Sequence, residues 1–346
     1  METRFLFLPL ILVANACATG GQPVKTEIDT LMHDYDGAVP GAALIVIRDG
    51  KAVERRSWGL ANIEDRINAT PSTNYRLASV TKQFTAAAIL LLVQDDKLEL
   101  DDKASGWLPS LPNAYASVTI HHLLTHTSGA IDYEDLIPPA ATAQVHDADV
   151  LRLLLTKDST YFKPGTSYRY SNSGYALLAL IVERASGKSF ATFLHERIFT
   201  PLGMNNTVAH QDGVDAVSNR AFGYTMKNGT WTRKDQSVTS AVLGDGGIYS
   251  SVDDMAKWDA AQYDSRLLHE EWRRVAFTPH TATDEPGTSY GFGWRITGET
   301  LWHSGETSGF RNVIVRFPAR KLTIVILTNR DNPEPYRMAL AIANLF

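Results

Sequence analysis

The sequence predicts a mixed α/β protein of the α+β type. Both ends of the chain are expected to build one antiparallel sheet that is flanked by helices, with a mostly helical region inserted between them. Three observations support this: strand-like runs lie near both ends, helical patterning fills the middle, and glycine or proline separates most of the strand-like runs. Strands that are segregated from helices along a chain are typical of a sheet with helices packed on its faces.

The N-terminal part of this sheet is predicted from the first strand-like residues. An amphipathic helix is expected from about Val24 to Tyr35. Two strand-like runs follow, joined at Asp49-Gly50, in the segment GAALIVIRDGKAVERRSWG. An Asp-Gly pair between two such runs is a strong hairpin signal, so we expect a helix followed by a β-hairpin.

The middle of the chain repeats apolar residues at helical spacing. The predicted helices are Thr81 to Val93, Ile120 to Thr125, Ala148 to Leu155, Gly174 to Ala185, Phe190 to Ile198 and Asp253 to Gln262. The last of these follows Ser251, which together with Asp254 resembles a capping box.

Strand-like runs return near the C-terminal end. They are Tyr290 to Arg295, Leu301 to His303, Asn312 to Phe317 and Leu322 to Asn329, and Glu334 to Leu345 is predicted to follow them as a helix. We therefore expect residues 24–80 and 286–346 to form the α/β sheet region and residues 81–285 to form the helical region. A catalytic cleft is expected between the two regions.

The composition excludes several classes of protein. The 346 residues include 33 Lys plus Arg and 38 Asp plus Glu, a net charge of −5, and no stretch stays basic for long. Because phosphate recognition needs a cationic surface, we expect no nucleic-acid partner. The single cysteine, Cys17, excludes a disulfide framework, a thiolate zinc site and a cysteine nucleophile in the folded body.

The first residues resemble an export signal. Residues 1–16 contain an apolar run from Phe5 to Val13 that is too short to span a membrane, so a signal peptide is predicted, with residues 17–23 as a linker. Cleavage before Cys17 would leave the N-terminal cysteine of a bacterial lipoprotein, although the preceding residues fit a lipobox poorly. The expected location is therefore outside the cytoplasm of a bacterium, either periplasmic or tethered to the membrane through Cys17; a retained, packed N-terminus is the remaining alternative.

Ser79 and Lys82 form the first candidate catalytic pair. They lie three residues apart where an apolar, buried helix is predicted to begin, so they share a helix face. The helix N-terminus favours negative charge on the serine oxygen, and a lysine in apolar surroundings can act as a proton acceptor. The motif alone is common, and a capping serine beside a lysine of no catalytic role is the ordinary alternative.

Two further clusters each occur once in the chain. Tyr170-Ser171-Asn172 follows a Pro-Gly turn, and a phenol beside a lysine can relay a proton while a carboxamide orients lysine or substrate. His303-Ser304-Gly305 ends a predicted strand, where Gly305 would allow close approach of the strand and a backbone N–H could face an oxyanion. Each cluster taken alone has a structural explanation. All three clusters in this order are much harder to explain by structural roles alone.

Together these motifs resemble the serine β-lactamase and penicillin-binding-protein superfamily. The likeness is greatest to the branch of class C β-lactamases, D-alanyl-D-alanine carboxypeptidases, D-aminopeptidases and related esterases, and it covers about residues 38–329. The motifs that carry it are Tyr75 to Lys82, Val118 to Gly129, Phe162 to Gly165, Tyr170 to Asn172, Gly246 to Ser250 and His303 to Gly305. The resemblance implies the β-lactamase/transpeptidase-like fold and one catalytic unit.

The resemblance also implies roles for individual residues. Ser79 would be the acylated nucleophile, Lys82 its proton partner and Tyr170 the general base and acid. Asn172 would hydrogen-bond lysine and substrate. The backbone N–H groups of Ser79 and Glu306 would form the oxyanion hole.

The third motif departs from the β-lactamase pattern. Class C β-lactamases carry a lysine where this chain has His303, and an imidazole is mostly neutral above pH ~6.5. His303, with the substrate-binding residues Ser304 and Gly305, is similar to the peptidase and esterase members. Weaker binding of a substrate carboxylate and inefficient β-lactam hydrolysis are therefore expected.

The predicted function is an exported serine hydrolase that acts through an acyl-enzyme on a small ester or a D-amino-acid-containing peptide or amide. The substrate is thus a small molecule or a peptide, and no cofactor is expected. Two alternatives stay open: a class C-like β-lactamase, and a penicillin- or muropeptide-binding sensor whose acyl-enzyme is released slowly.

Three other motifs are typical of different chemistries, but none lies in the sequence or structural setting that its chemistry requires. His122 and His126, with His121 adjacent, have metal-ligand spacing, but no His-Glu-x-x-His occurs, so helix-end histidines and no metal are expected. The stretch Gly287 to Gly291 matches Gly-x-Ser-x-Gly but leads into a strand, which is the wrong setting for an α/β-hydrolase nucleophile. Gly291-Phe292-Gly293 indicates a glycine-broken strand rather than a dinucleotide site.

Overall fold

The computed structural model describes residues 21–346 of the chain. The predicted signal peptide and Cys17 lie outside the described residues. Within residues 21–346, no helix is both long enough and apolar enough to cross a membrane.

The strands of seven or eight residues all belong to one large sheet, and the others are shorter. In chain order they are β1 (Ala42–Arg48), β2 (Lys51–Trp58), β3 (Leu60–Asn62), β4 (Ile67–Asn68), β5 (Tyr75–Arg76), β6 (Val208–Ala209), β7 (Tyr224–Lys227), β8 (Thr230–Arg233), β9 (Ile248–Ser250), β10 (Thr281–Ala282), β11 (Thr288–Tyr290), β12 (Arg295–Thr297), β13 (Thr300–Thr307), β14 (Phe310–Phe317) and β15 (Leu322–Thr328).

The large sheet has eight strands in the order β10-β11-β12-β13-β14-β15-β1-β2. All of its pairs are antiparallel, and β1 joins the two ends of the chain by pairing with β15, from Ala42 opposite Thr328 to Arg48 opposite Leu322. The β1–β2 hairpin turns at Asp49 and Gly50, which have φ of +51° and +73°. Both residues are in the left-handed region that a tight hairpin of this twist requires. The predicted fold class is confirmed.

Most helices lie in the segment between the two groups of sheet strands. In chain order the helices are α1 (Gly21–Met32), α2 (Lys82–Gln94), α3 (Ala104–Trp107), α4 (Ile120–Leu124), α5 (Asp147–Leu154), α6 (Asn172–Ser186), α7 (Phe190–Leu194), α8 (Thr200–Leu202), α9 (Leu243–Gly246), α10 (Val252–Ala261), α11 (Glu270–Ala276) and α12 (Tyr336–Ala343). Of these, α1 precedes the first strand and α12 follows the last. The domain limits at residues 80 and 286 stay a prediction.

Strand alternation divides the core between the two faces of the sheet. On β1, Leu44 and Val46 join a buried cluster with residues of α1 and α12, whereas Ile45 and Ile47 join a larger cluster with α2 and the other inserted helices. Because successive strand residues point to opposite faces, a continuous apolar strand is buried on both sides. The large sheet is therefore a middle layer between two sets of helices.

Two predicted elements differ from the structure. The strand expected from Tyr290 to Arg295 is interrupted between β11 and β12, where Gly293 has φ +75° and a Cβ there would lie 2.7 Å from the Lys82 carbonyl oxygen. The chain leaves the sheet at this point to contact the start of α2. The helix predicted from Phe190 to Ile198 is α-helical only to Leu194 and continues as a π-helical turn over His195–Phe199.

Candidate active site

Ser79 lies in the turn that leads into helix α2, which is buried over almost its whole length. It belongs to the 3-10 turn Ala78–Thr81, which leads directly into α2, and the α2 residues from Lys82 to Val93 are buried. Ala78 precedes Ser79 with φ +50°, a left-handed conformation that a non-glycine residue adopts only when its surroundings enforce it. The turn therefore holds Ser79 in a fixed position at the edge of a cleft.

Lys82 connects the serine to two other parts of the chain. Its Nζ is fully buried and donates to Ser79 Oγ (3.1 Å), to Asn172 Oδ1 (2.8 Å) and to the main-chain oxygen of Asp245 (3.0 Å). A charged lysine donates to all three of these acceptors, whereas a neutral amine can donate to two of them and accept from the Ser79 hydroxyl. The amine is thus held in hydrogen-bond contact with the serine hydroxyl.

Tyr170 lies against this lysine. Lys82 Nζ is 4.8 Å from the centre of the Tyr170 ring, and the ring packs against His126 with the two ring centres 4.2 Å apart. The Tyr170 hydroxyl is buried and has no hydrogen-bond partner among the described residues. A buried hydroxyl without a partner is rare and costs stability, so a polar atom of a substrate or a water molecule would be a favourable partner.

Asn172 is held by the acidic turn that precedes helix α5. Its backbone N–H at the start of α6 donates to Asp132 Oδ2 (2.7 Å), and its Nδ2 donates to Glu134 Oε1 (3.1 Å). With Oδ1 bound to Lys82, the carboxamide bridges a cation and a carboxylate. This arrangement fixes the amide in one of its two orientations.

His303 is buried in β13 and faces the cluster of aromatic rings behind the cleft. Its Nδ1 lies 2.6 Å from the carbonyl oxygen of Ser304, and its Nε2 lies 3.0 Å from the hydroxyl of Tyr290. Since a carbonyl oxygen only accepts, Nδ1 carries the proton and Nε2 accepts from Tyr290. Burial, followed by the charge of Arg295, holds the pKa of His303 well below its usual value, so the imidazole is neutral.

Gly305 brings β13 against the nucleophile turn. A Cβ at this position would lie 2.0 Å from the carbonyl oxygen of Leu77, a separation that no side chain tolerates. The next residue, Glu306, and Ser79 both line one small cleft. The sequence-based expectation of close approach at Gly305 agrees with this geometry.

The cleft at Ser79 is small and open to solvent. Its lining residues come from both the sheet and the helical region and are Arg76, Ala78, Ser79, Tyr133, Glu134, Asn172, Thr239, Asp245, Gly246, Glu306 and Thr307. Ser79, Lys82 and Asn172 are joined by hydrogen bonds, and Tyr170 and His303 have ring centres 6.2 Å apart. The structure therefore brings the predicted site residues together, while their catalytic roles stay predictions.

Sequence reasoning missed a buried carboxyl group directly behind Lys82. Asp245 accepts from the hydroxyl of Tyr133 through Oδ2 (2.9 Å), and burial raises its pKa to about 7, with the charge of Asp147 acting in the same direction. The residue directly precedes the motif Gly246 to Ser250, which was the only signal in the sequence that could have indicated it.

The three clustered histidines have structural contacts. His122 Nδ1 accepts from the backbone N–H of Thr119 and helps to cap α4, and His126 Nδ1 accepts from the N–H of Ser171. His121 lies 3.3 Å from His280, nitrogen to nitrogen. Within residues 21–346, no group of three His, Cys, Asp or Glu side chains is placed to hold a metal ion.

Comparison with known proteins decides the family. The family model described as Beta-lactamase matches residues 24–345. The chain belongs to this family. It is therefore a serine hydrolase of the β-lactamase and penicillin-binding-protein superfamily, as the motifs predicted.

Relatives and solved structures in this family carry several names. The chain is 31% identical over 340 residues to penicillin-binding protein 4* of Bacillus subtilis (strain 168), covering 92% of this chain and 73% of that protein. It is 31% identical over 342 residues to a D-aminopeptidase of Gluconobacter oxydans (strain 621H), covering 92% of this chain and 61% of that protein. The octameric penicillin-binding protein homologue from Pyrococcus abyssi matches with a TM-score of 0.82 and 29% identity, over 93% of this chain and 76% of that one.

These β-lactamase-family relatives are longer than the present chain, which spans only 61% of the D-aminopeptidase. The shared part contains the sheet, the inserted helices and the cleft. The comparisons thus show the fold and the class of enzyme, and the substrate must be argued from the site.

Proposed function

We propose that this chain is an exported enzyme that hydrolyses a small ester or a D-amino-acid-containing peptide or amide through an acyl-enzyme on Ser79. One observation carries the proposal: the buried Nζ of Lys82 donates to Ser79 Oγ at 3.1 Å while Asn172 holds it from the other side. A nucleophile within hydrogen-bond reach of an oriented basic group is the arrangement that covalent catalysis needs.

The reaction would proceed in two steps. Ser79 Oγ attacks the substrate carbonyl carbon while Lys82 and Tyr170 accept its proton, and the same groups then return a proton to the departing alcohol or amine. Water attacks the resulting acyl-enzyme ester, its proton passes to the same pair, and the free acid leaves with Ser79 restored. The backbone N–H groups of Ser79 and Glu306 would hold the oxyanion, and one such donor is typically worth ~10²–10³ in rate.

The neutral state of His303 favours substrates that do not depend on a carboxylate. A lysine at this position would offer a lasting cation to the carboxylate of a β-lactam or of a C-terminal D-alanine. His303 is neutral and already hydrogen-bonded to Tyr290 and to the Ser304 carbonyl, so it offers no such charge. Esterase or D-aminopeptidase activity, the latter named for relatives from Gluconobacter and Brucella, fits this site better than β-lactamase activity.

The export part of the proposal depends on the signal-like residues 1–16 and on Cys17. If Cys17 becomes the lipidated N-terminus, the protein will be found with the membrane fraction, and Cys17→Ala will release it. Mass spectrometry of the mature N-terminus measures this directly. A chain that still begins at Met1 in the cytoplasmic fraction would contradict export.

A substrate panel tests the enzymatic proposal. Purified protein is assayed with nitrocefin, a D-Ala-D-Ala peptide, a D-amino-acid amide and short-chain p-nitrophenyl esters, and the substrates are ranked by kcat/KM. We expect esters or D-amino-acid amides to rank first and nitrocefin last, with all activity lost in Ser79→Ala. Efficient turnover of nitrocefin would instead favour the β-lactamase alternative.

Stopped-flow measurements separate an enzyme from a sensor. A steady state that follows the acylation burst is expected for the enzyme. A single stoichiometric burst without further turnover on any substrate of the panel would show slow deacylation and support a sensor.

A further inference from the structure

Glu134 is a carboxylate of the active-site cleft that the proposed chemistry does not use. It lies in the 3-10 turn Tyr133–Leu136, which is anchored on both sides: the backbone N–H of Tyr133 donates to Ser173 Oγ (2.8 Å) and the Tyr133 hydroxyl donates to Asp245. The N–H of Glu134 itself donates to Asp132 Oδ1 (3.1 Å). The fold therefore fixes the backbone of Glu134 at the wall of the cleft that contains Ser79.

The charge of Glu134 has no cationic partner. Among the described residues it forms no ion pair, and its side-chain hydrogen bond is the one accepted from Asn172 Nδ2 (3.1 Å). Partial shielding from water and the neighbouring charge of Asp132 raise the pKa of Glu134, whereas Lys82 acts in the opposite direction. The carboxylate would thus be stabilised by a positive charge that a ligand brings.

The other ionisable groups of the cleft wall already have hydrogen-bond or ion-pair partners, and Asp245 accepts from the Tyr133 hydroxyl (2.9 Å). The guanidinium of Arg76 is buried and donates to the carbonyl oxygen of Ser240 (2.6 Å). The exposed carboxylate of Glu306 pairs with Arg311 (2.6 Å). Among the carboxyl groups that line this cleft within residues 21–346, Glu134 is therefore the one that is exposed and has no ion pair.

Glu134 is also close to the reacting groups. It is connected to Ser79 through Asn172 and Lys82 by successive contacts of 3.1, 2.8 and 3.1 Å. An α-ammonium group is separated from a scissile carbonyl carbon by a single carbon atom. Because Ser79 and Glu134 line the same small cleft, the ammonium group of a substrate bound at Ser79 can approach this carboxylate.

We propose that Glu134 is a specificity-determining residue that selects esters and amides with a free ammonium group beside the scissile carbonyl. The inference rests on the proposed function, because it assumes acyl transfer at Ser79. A charge-assisted hydrogen bond between the ammonium group and Glu134 would favour these substrates over their N-acylated counterparts.

The test compares two substrates that differ only in this charge: D-alanine p-nitroanilide and N-acetyl-D-alanine p-nitroanilide. For the wild type, kcat/KM should be at least about tenfold higher for the free amine, the size expected when one partly shielded charged hydrogen bond is lost. In Glu134→Gln this preference should fall by about tenfold or more, because glutamine still accepts from Asn172 but carries no charge. Glu134→Lys should prefer N-succinyl-D-alanine p-nitroanilide, which carries a carboxylate, over the free amine. This second variant keeps the test valid if the glutamine variant is unstable.

Asp135→Asn is the matched control. It removes one carboxylate from the adjacent residue, whose side chain binds Tyr161 and lies outside the cleft wall, so the preference should be retained. An unchanged preference in Glu134→Gln would overturn the inference. A wild type that prefers the acetylated compound would also overturn the inference. So would a wild type that cleaves p-nitrophenyl acetate through Ser79 but neither anilide. In both cases the proposed function would still stand. If the wild type cleaves none of these compounds in a Ser79-dependent manner, the proposed function itself fails.

Discussion

At the residue scale, the site depends on a few side chains whose partners come from distant parts of the chain. Lys82 contacts its sequence neighbour Ser79, but Asn172 and the Asp245 carbonyl reach it only in the folded protein. The sequence could predict Ser79, Lys82, Tyr170 and Asn172 because each lies in a short motif. It could not predict Glu134, whose importance comes from a tertiary contact and not from a local pattern.

Replacing Tyr170 by phenylalanine tests the proton relay. The ring packing on His126 is preserved, and the hydroxyl has no hydrogen-bond partner within residues 21–346, so thermal stability should not fall. We expect kcat to drop by ~10²–10⁴, the usual contribution of a general acid and base. Steady-state kinetics on a p-nitrophenyl ester, together with the melting temperature, measures both.

Tyr263→Phe serves as the control for this variant. Tyr263 is partly exposed and is not among the residues of the cleft wall, so its loss of a hydroxyl should leave kcat unchanged. An unchanged kcat in Tyr170→Phe would remove Tyr170 from the mechanism.

At the element scale, the close contact between β13 and the nucleophile turn places the expected oxyanion donors together. Gly305 makes this contact feasible, and the sequence indicated it because glycine follows His303 at the end of a strand-like run. The break between β11 and β12 was only partly predictable. Gly291 and Gly293 signalled an interruption, but the carbonyl of Lys82 that Gly293 approaches belongs to a helix far away in the sequence.

Gly305→Ala should separate β13 from this turn. The added Cβ would meet the Leu77 carbonyl oxygen at 2.0 Å, so strand or turn has to shift, at a cost of about 1–3 kcal/mol in stability. Displacement of the Glu306 N–H should lower kcat by at least ~10². Ester hydrolysis and urea unfolding of the purified variant report the two effects.

Gly106→Ala is a suitable comparison for that variant. Its added Cβ meets no atom within 4 Å, so stability and kcat should both stay close to the wild type. If Gly305→Ala behaved like Gly106→Ala, the proposed contact between strand and nucleophile would have no role in catalysis.

At the scale of the whole molecule, the site lies where the sheet meets the inserted helices, and burial there affects stability. Asp147 anchors α9 by accepting from the N–H groups of Leu243 and Gly244, and α9 in turn carries Asp245 behind Lys82. Burial raises the pKa of both carboxyl groups to about 7. Strand-like runs near both ends of the chain predicted the sheet, whereas no local pattern in the sequence could indicate that two distant aspartates become buried together.

The buried carboxyl groups predict a dependence of stability on pH. The pKa of Asp245 rises from 3.8 to about 7 on folding. Between about pH 4 and pH 7 this carboxyl group is therefore ionised in the unfolded chain but protonated in the folded protein, so folding stability falls as the pH rises through this range. Asp245→Asn keeps an acceptor for Tyr133 and removes the charge. Its stability relative to the wild type should therefore increase with pH, by on the order of 2–4 kcal/mol at pH 8 compared with pH 4. Urea unfolding across this range measures the difference, and a difference that does not vary with pH would show that Asp245 is not buried as described.

Covalent labelling of Ser79 tests the central claim most directly. The purified protein is treated with a fluorophosphonate, and the modified residue is identified by intact mass and peptide mapping. We predict one adduct per chain, located on Ser79, with none in Ser79→Ala. An adduct on another residue, or equal labelling of Ser79→Ala, would contradict the assignment of Ser79 as the nucleophile.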